Sequence, residues 1–155
     1  MGESGLQYGF VDAYNPFNGG GNYEDYLLYG QDQTPSIDGS IKNAQNWIEY
    51  ITGSAETQYG KLRTKNGRKK PYKLETIFIG NEMFGGWQIG HTDPVTYARK
   101  YDKFVKALKK TNNKLRFIAV GACSDHFGHW NEQVLKNIKE KIDELSIHYY
   151  SIRTE

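Results

Sequence analysis

One carboxyl group stands out by its setting. Glu82 follows Gly80-Asn81 directly after the apolar, β-rich run Leu74-Glu75-Thr76-Ile77-Phe78-Ile79. That is neither a helix-cap position nor an ordinary place for a surface ion pair. A carboxylic acid at the rim of a sheet can protonate the leaving oxygen of a glycosidic bond, provided a second carboxylate faces it across the bond. Asn81 can hold a sugar 2-hydroxyl with a hydrogen bond that strengthens in the transition state. The alternative is an Asn-Glu turn with a solvated carboxylate. Met83-Phe84-Gly85-Gly86-Trp87-Gln88 follows at once. Trp87 beside two glycines fits a platform for a sugar ring, or an indole folded over a rim.

His148 and Tyr150 are two apart in the run Leu145-Ser146-Ile147-His148-Tyr149-Tyr150, so on a strand they share a face. They read as a polar pair lining a pocket, or His148 reads as a satisfied core histidine. Asp125-His126-x-x-His129 offers two histidines without further ligands, so no metal is expected. Nothing in the sequence sets a base beside Cys123 to make it a nucleophile. There is no P-loop and no Gly-x-Gly-x-x-Gly opening a helix, so no cofactor is expected.

These groups need elements to carry them. Residues 1–37 read as an irregular, poorly assignable segment rich in turn chemistry, such as Gly19-Gly20-Gly21-Asn22. Residues 38–155 read as one catalytic domain. In it Ile41, Ala44, Trp47, Ile48 and Ile51 share a helix face, opened by Ser36 or Asp38 and closed by Gly53. Residues 61–73 carry Lys61, Arg63, Lys65, Arg68, Lys69, Lys70 and Lys73 without an acid, and read as a solvated basic loop rather than a nucleic-acid patch. Leu74–Gly80 is a strand. Asp93-Pro94 opens a helix with the stripe Tyr97, Tyr101, Phe104, Val105 and Leu108. Leu115–Gly121 is the second strand. Val134, Leu135, Ile138 and Ile142 mark a further helix, and Leu145–Tyr150 is the third strand. Strands separated by long crossovers imply a parallel sheet covered on both faces, with the strands' carboxyl ends gathering the chemistry at one mouth.

Composition agrees with a globular chain: 37% of residues are hydrophobic and 25% charged. A net charge of +2 argues against a nucleic-acid or membrane partner. At 155 residues the chain is short for a complete (β/α)8 barrel, which takes about 250. The single cysteine excludes an internal disulfide framework and fits a reducing compartment. Met1-Gly2-Glu3-Ser4-Gly5 has no basic or apolar leader features, so a cytoplasmic location is expected.

Taken together, Tyr59-Gly60-Lys61-Leu62-Arg63-x-x-Asn66-Gly67, Pro71-Tyr72, Ile79-Gly80-Asn81-Glu82, Trp87-Gln88-Ile89-Gly90-His91 and Ser146-Ile147-His148-x-Tyr150 resemble glycoside hydrolase family 51, the α-L-arabinofuranosidases. The resemblance covers about residues 40–151. It implies an α/β fold, a partial TIM (β/α)8 barrel holding about strands four to six with their helices. It implies a retaining, cofactor-free glycosidase that removes terminal α-L-arabinofuranosyl groups from hemicellulose or pectin oligosaccharides. Glu82 would be the general acid/base, and Asn81 would contact the arabinose 2-hydroxyl. His148 and Tyr150 would line the glycone pocket and help orient the nucleophile, and Trp87 would lie near the aglycone. The family's nucleophile, a Glu on strand seven, is expected outside this chain. The chain is therefore expected to be an inactive fragment of a parent that is often homo-oligomeric. The alternatives are a clan-related β-xylosidase or endoglucanase, or a non-catalytic carbohydrate-binding remnant.

Overall fold

The computed structural model describes residues 8–11, 37–88, 90–123 and 129–149, the first four by backbone alone. Four parallel strands form one sheet in chain order: β1 (Tyr8–Val11), β2 (Thr76–Ile79), β3 (Arg116–Val120) and β4 (Glu144–Ser146). Val11 pairs with Ile79, Ile79 with Ala119 and Val120 with Ser146, so the strands end together at one rim. Helices α1 (Ile37–Thr52) and α2 (Gln58–Lys65) precede β2, α3 (Pro94–Thr111) joins β2 to β3, and α4 (Trp130–Asn137) joins β3 to β4. Among the described residues no helix is long and apolar enough to cross a membrane.

The core lies between the sheet and the helices. Ile77 and Ile79 of β2 meet Phe117 and Ala119 of β3 in register, and all four join the buried cluster with Ala44, Ile48 and Ile51 of α1. Phe78 and Ile118 pair on the other face, where Phe78 is only half-buried. The sequence pattern implied cover on both faces; on this second face Ile118 and Val120 are buried as expected, and Phe78 is covered in part.

Helix α3 follows the sequence rule closely. Asp93 Oδ1 accepts from the backbone N–H of Val95 at 3.0 Å and of Thr96 at 2.9 Å, and Pro94 takes the first position. Tyr97, Tyr101, Phe104, Val105 and Leu108 are fully buried. Hydrogen bonds from the Thr96 side chain, then from its backbone, hold the Asp93 carboxyl below its ordinary value. Asp93→Ala should cost about 1 kcal/mol, the usual value of an N-cap, read as a lower denaturant midpoint. The depressed carboxyl stabilises the fold above its unfolded value near ~3.9. That part is lost as pH falls through the folded value, so wild type and variant should converge in acid.

Elsewhere the expectations shift. Helix α1 begins at Ile37, so Asp38 sits in the first turn, where the helix dipole favours it, and does not cap. Helix α4 stops at Asn137, leaving Ile138 and Ile142 half-buried beyond it and Leu135 53% exposed. The Asp102 carboxylate explains the stop, because its Oδ1 accepts the N–H of Lys139 at 3.0 Å and of Glu140 at 2.9 Å and ties that stretch to α3. Strand β4 ends at Ser146 because its neighbour β3 ends at Val120. β1 lies inside residues 1–37, where no strand was expected.

The basic stretch is also partly misread as a loop, since it contains α2. Thr57 caps that helix by accepting from Gly60 N at 3.1 Å. Arg63, expected to be solvated, is 1% exposed. Its Nη1 donates to Tyr50 O at 2.7 Å and to Ile51 O at 3.5 Å. Nη2 donates to Lys69 O at 3.1 Å and Nε to Arg68 O at 3.3 Å. One guanidinium thus ties the end of α1 to the chain leaving α2.

Candidate active site

The turn after β2 is built to lift one side chain. Gly80 takes φ 91°, and a Cβ there would meet Met83 Cγ at 2.7 Å, so glycine is required on both counts. Glu82 itself sits at φ 44°, in the left-handed region that non-glycine residues seldom adopt. Met83 is fully buried and anchors the turn. Glu82 O accepts from Gly85 N at 2.8 Å, and Met83 O accepts from Thr92 N at 2.9 Å, which closes the loop on itself.

The Glu82 carboxylate is held from two sides. Trp87 Nε1 donates to Oε2 at 2.7 Å, and His148 Nδ1 lies 2.7 Å from Oε1. The Glu82 side chain is 14% exposed and that of His148 33%. His148 comes from the chain just past β4, so the two strand ends converge as the parallel topology requires. Asn81 is half-buried beside Glu82. Trp87 is 50% exposed, which leaves indole surface open while its N–H is used. Tyr150, Ile89, Asp125 and His126 lie outside the described residues. His129, from the weak metal motif, is exposed, with Glu132 Oε2 at 3.8 Å.

Beneath Trp87 lies a stack that sequence reading did not anticipate. Phe84 meets Trp87 edge-on at 6.2 Å and Trp130 at 5.7 Å, and Trp130 tilts onto Tyr97 at 5.3 Å. The Tyr97 hydroxyl donates to Ile79 O and accepts from Val120 N, each at 2.7 Å. It bridges β2 and β3 at the point where the chain turns away toward Glu82. Burial pushes the Tyr97 hydroxyl far above its ordinary range, so it stays protonated. Trp130 Nε1 donates to Val120 O at 2.9 Å, and Asn131 bonds both N and O of Ala122, which fixes the turn after β3. Only the placement of Tyr97 on a helix stripe hinted at this support.

A Cβ on Gly85 would fall 2.3 Å from Trp87 Cε2, whereas one on Gly86 meets nothing within 4 Å. Gly85→Ala should therefore displace the indole from Glu82, at about 1–3 kcal/mol of overpacking, while Gly86→Ala leaves it in place. The Trp87 indole N–H resonance checks this: it should move in the first variant and stay in the second.

The family model for the α-L-arabinofuranosidase 1 domain matches residues 20–155. The chain belongs to this family, glycoside hydrolase family 51. Among its relatives, the intracellular exo-α-(1→5)-L-arabinofuranosidase of Bifidobacterium longum is 35% identical over 113 residues, 71% of this chain and 20% of that protein. The intracellular exo-α-L-arabinofuranosidase of Bacteroides ovatus is 33% identical over 115 residues, 74% of this chain and 22% of that protein. The family 51 chain thus spans about a fifth of the length of these relatives. Among solved structures, the α-L-arabinofuranosidase of Thermotoga maritima in complex with arabinose superposes with a TM-score of 0.66 at 36% identity, over 74% of this chain and 23% of that one. A family 51 enzyme of B. longum gives 0.67 at 33% identity, over 72% of this chain and 22% of that one. For this family 51 chain the α/β fold with a small parallel sheet is shared with these enzymes.

Proposed function

We propose that this chain is the central part of the catalytic barrel of a retaining α-L-arabinofuranosidase, with Glu82 as general acid/base. The observation that carries this is the Glu82 carboxylate at the strand-end rim, held between Trp87 and His148. In this reading β2, β3 and β4 are barrel strands four to six, and β1 takes the place before them. Asn81 contacts the 2-hydroxyl of a terminal arabinofuranosyl group, His148 and Tyr150 line the glycone pocket, and Trp87 offers its face to the aglycone. No cofactor enters this chemistry, and the intracellular relatives support a cytoplasmic setting.

Retention needs a second carboxylate about 5–5.5 Å from the first. Asp143 and Glu144 do not fit, because they lie at the opposite rim. Asp143 Oδ2 accepts from Phe117 N at 2.9 Å, and Glu144 pairs with Arg116, all at the amino ends of β3 and β4. In keeping with the family resemblance, which puts the nucleophile on a later barrel strand, this reading takes it from outside residues 1–155, and this chain alone should not turn over glycosides. The test compares aryl α-L-arabinofuranoside with aryl β-xyloside in the catalytically complete enzyme that carries this segment. Faster release from the xyloside would overturn the substrate assignment.

A further inference from the structure

We infer that Trp87 and His148 are positioning residues for the Glu82 carboxyl group, and that the tautomer of His148 follows the proton on Glu82. This rests on Glu82 being the acid/base. An indole N–H can only donate, so Oε2, 2.7 Å from Trp87 Nε1, is an acceptor whatever the charge on Glu82. Oε1 faces His148 Nδ1 at 2.7 Å, and an imidazole nitrogen either donates or accepts. One hydrogen lies on that line. With Glu82 ionised and the ring neutral, the hydrogen belongs to Nδ1 and Nε2 is bare. With Glu82 protonated, it belongs to Oε1, Nδ1 accepts, and the ring hydrogen sits on Nε2.

In this inference the proton that Glu82 gives up is the one carried on Oε1, where Nδ1 can accept it, since Oε2 has only a donor beside it in Trp87 Nε1. For delivery the O–H turns from Nδ1 toward the leaving oxygen; the Oε1–H bond then breaks, its electron pair stays on the carboxylate, and the new O–H bond forms on the leaving oxygen. A bare Nδ1 would then face an anionic oxygen. The ring removes that conflict by releasing its Nε2 hydrogen to water and taking one at Nδ1 from water, with no net change in charge. The His148 side chain, 33% exposed, is open to that exchange. His91, the histidine of the loop that carries Glu82, has Nδ1 at 3.1 Å from the Gln88 carbonyl and is already engaged.

Glu82→Gln isolates the claim. Trp87 can only donate, so the amide oxygen must face it and the amide nitrogen must face His148. Nδ1 then has to accept. The test is a long-range proton–nitrogen correlation spectrum of the histidine rings in the 155-residue chain, recorded above the ordinary imidazole range, with His148 assigned by H148N. Wild type should show a protonated Nδ1 and a bare Nε2, and E82Q the reverse. Adding W87F to E82Q frees the amide to turn over and should restore the protonated Nδ1. A bare Nδ1 in wild type, or the same ring form in wild type and E82Q, would overturn the inference. Should E82Q not fold, the wild-type spectrum alone decides. No substrate enters the measurement, so an unchanged tautomer leaves the acid/base reading standing. Conversely, the expected tautomers in an E82Q enzyme that keeps full activity would sink that reading alone.

Discussion

Glu82→Gln should slow hydrolysis of oligosaccharides by about 10²–10⁴-fold in the catalytically complete enzyme. An unactivated alkoxide leaves only if a proton reaches it as the bond breaks, and glutamine has none to give. A dinitrophenyl arabinofuranoside needs no such help, so its first step should lose far less. Deglycosylation then becomes limiting, because no base draws the proton from water, and a small anionic nucleophile such as azide should restore turnover. The shape matters as much as the size: the loss must grow with the pKa of the leaving group. A flat loss across leaving groups, or none, would remove Glu82 from the acid/base role. Gln keeps the side-chain length, and the contact with Trp87 Nε1 survives through the amide oxygen, so a fold defect is not the expected cause.

The second large effect is on stability. Arg63→Met should cost about 3–5 kcal/mol, because the guanidinium now serves four backbone carbonyls and its loss strips that donor from the part-buried ones of Tyr50, Arg68 and Lys69, while Ile51 O keeps the N–H of Tyr72 at 2.9 Å. Arg63→Lys should recover only a part, since an ammonium on a flexible stem cannot span carbonyls on both sides as the planar fork does. Set against the usual 5–15 kcal/mol of a domain, such a loss is large. Equilibrium denaturation of the three proteins measures it. A cost below about 1 kcal/mol for Arg63→Met would mean that water replaces the guanidinium.

Sequence legibility followed how strongly each element declares itself locally. The cap at Asp93 and the full stripe down α3 are local signals, and both are in the structure. The runs at β2 and β3 are continuous and β-branched, and their ends were readable to within two residues. Helix α2 was not readable from apolar spacing, because its one large aliphatic residue, Leu62, is 43% exposed and its buried residues are Gly60 and Arg63. Its signal was chemical instead: Thr57 as a cap and Asn66-Gly67 as a stop. Asp102 holds residues 139 and 140 across 37 and 38 positions, and no window on the sequence reveals that. At the site, the convergence of Glu82 and His148 follows from parallel topology. The contact from Trp87 to Glu82, five residues apart, depends on the loop conformation and was not legible.

The left-handed backbone at Glu82 sets two demands against each other. Glycine or asparagine would relax that position by roughly 1 kcal/mol, and neither carries a carboxyl group. A library of the catalytically complete enzyme that carries this segment, selected only for heat resistance, should therefore drift away from glutamate at 82 and yield tougher, inert proteins. Selecting the same library for sugar release should hold glutamate in place and push compensating stabilisation to positions remote from the rim.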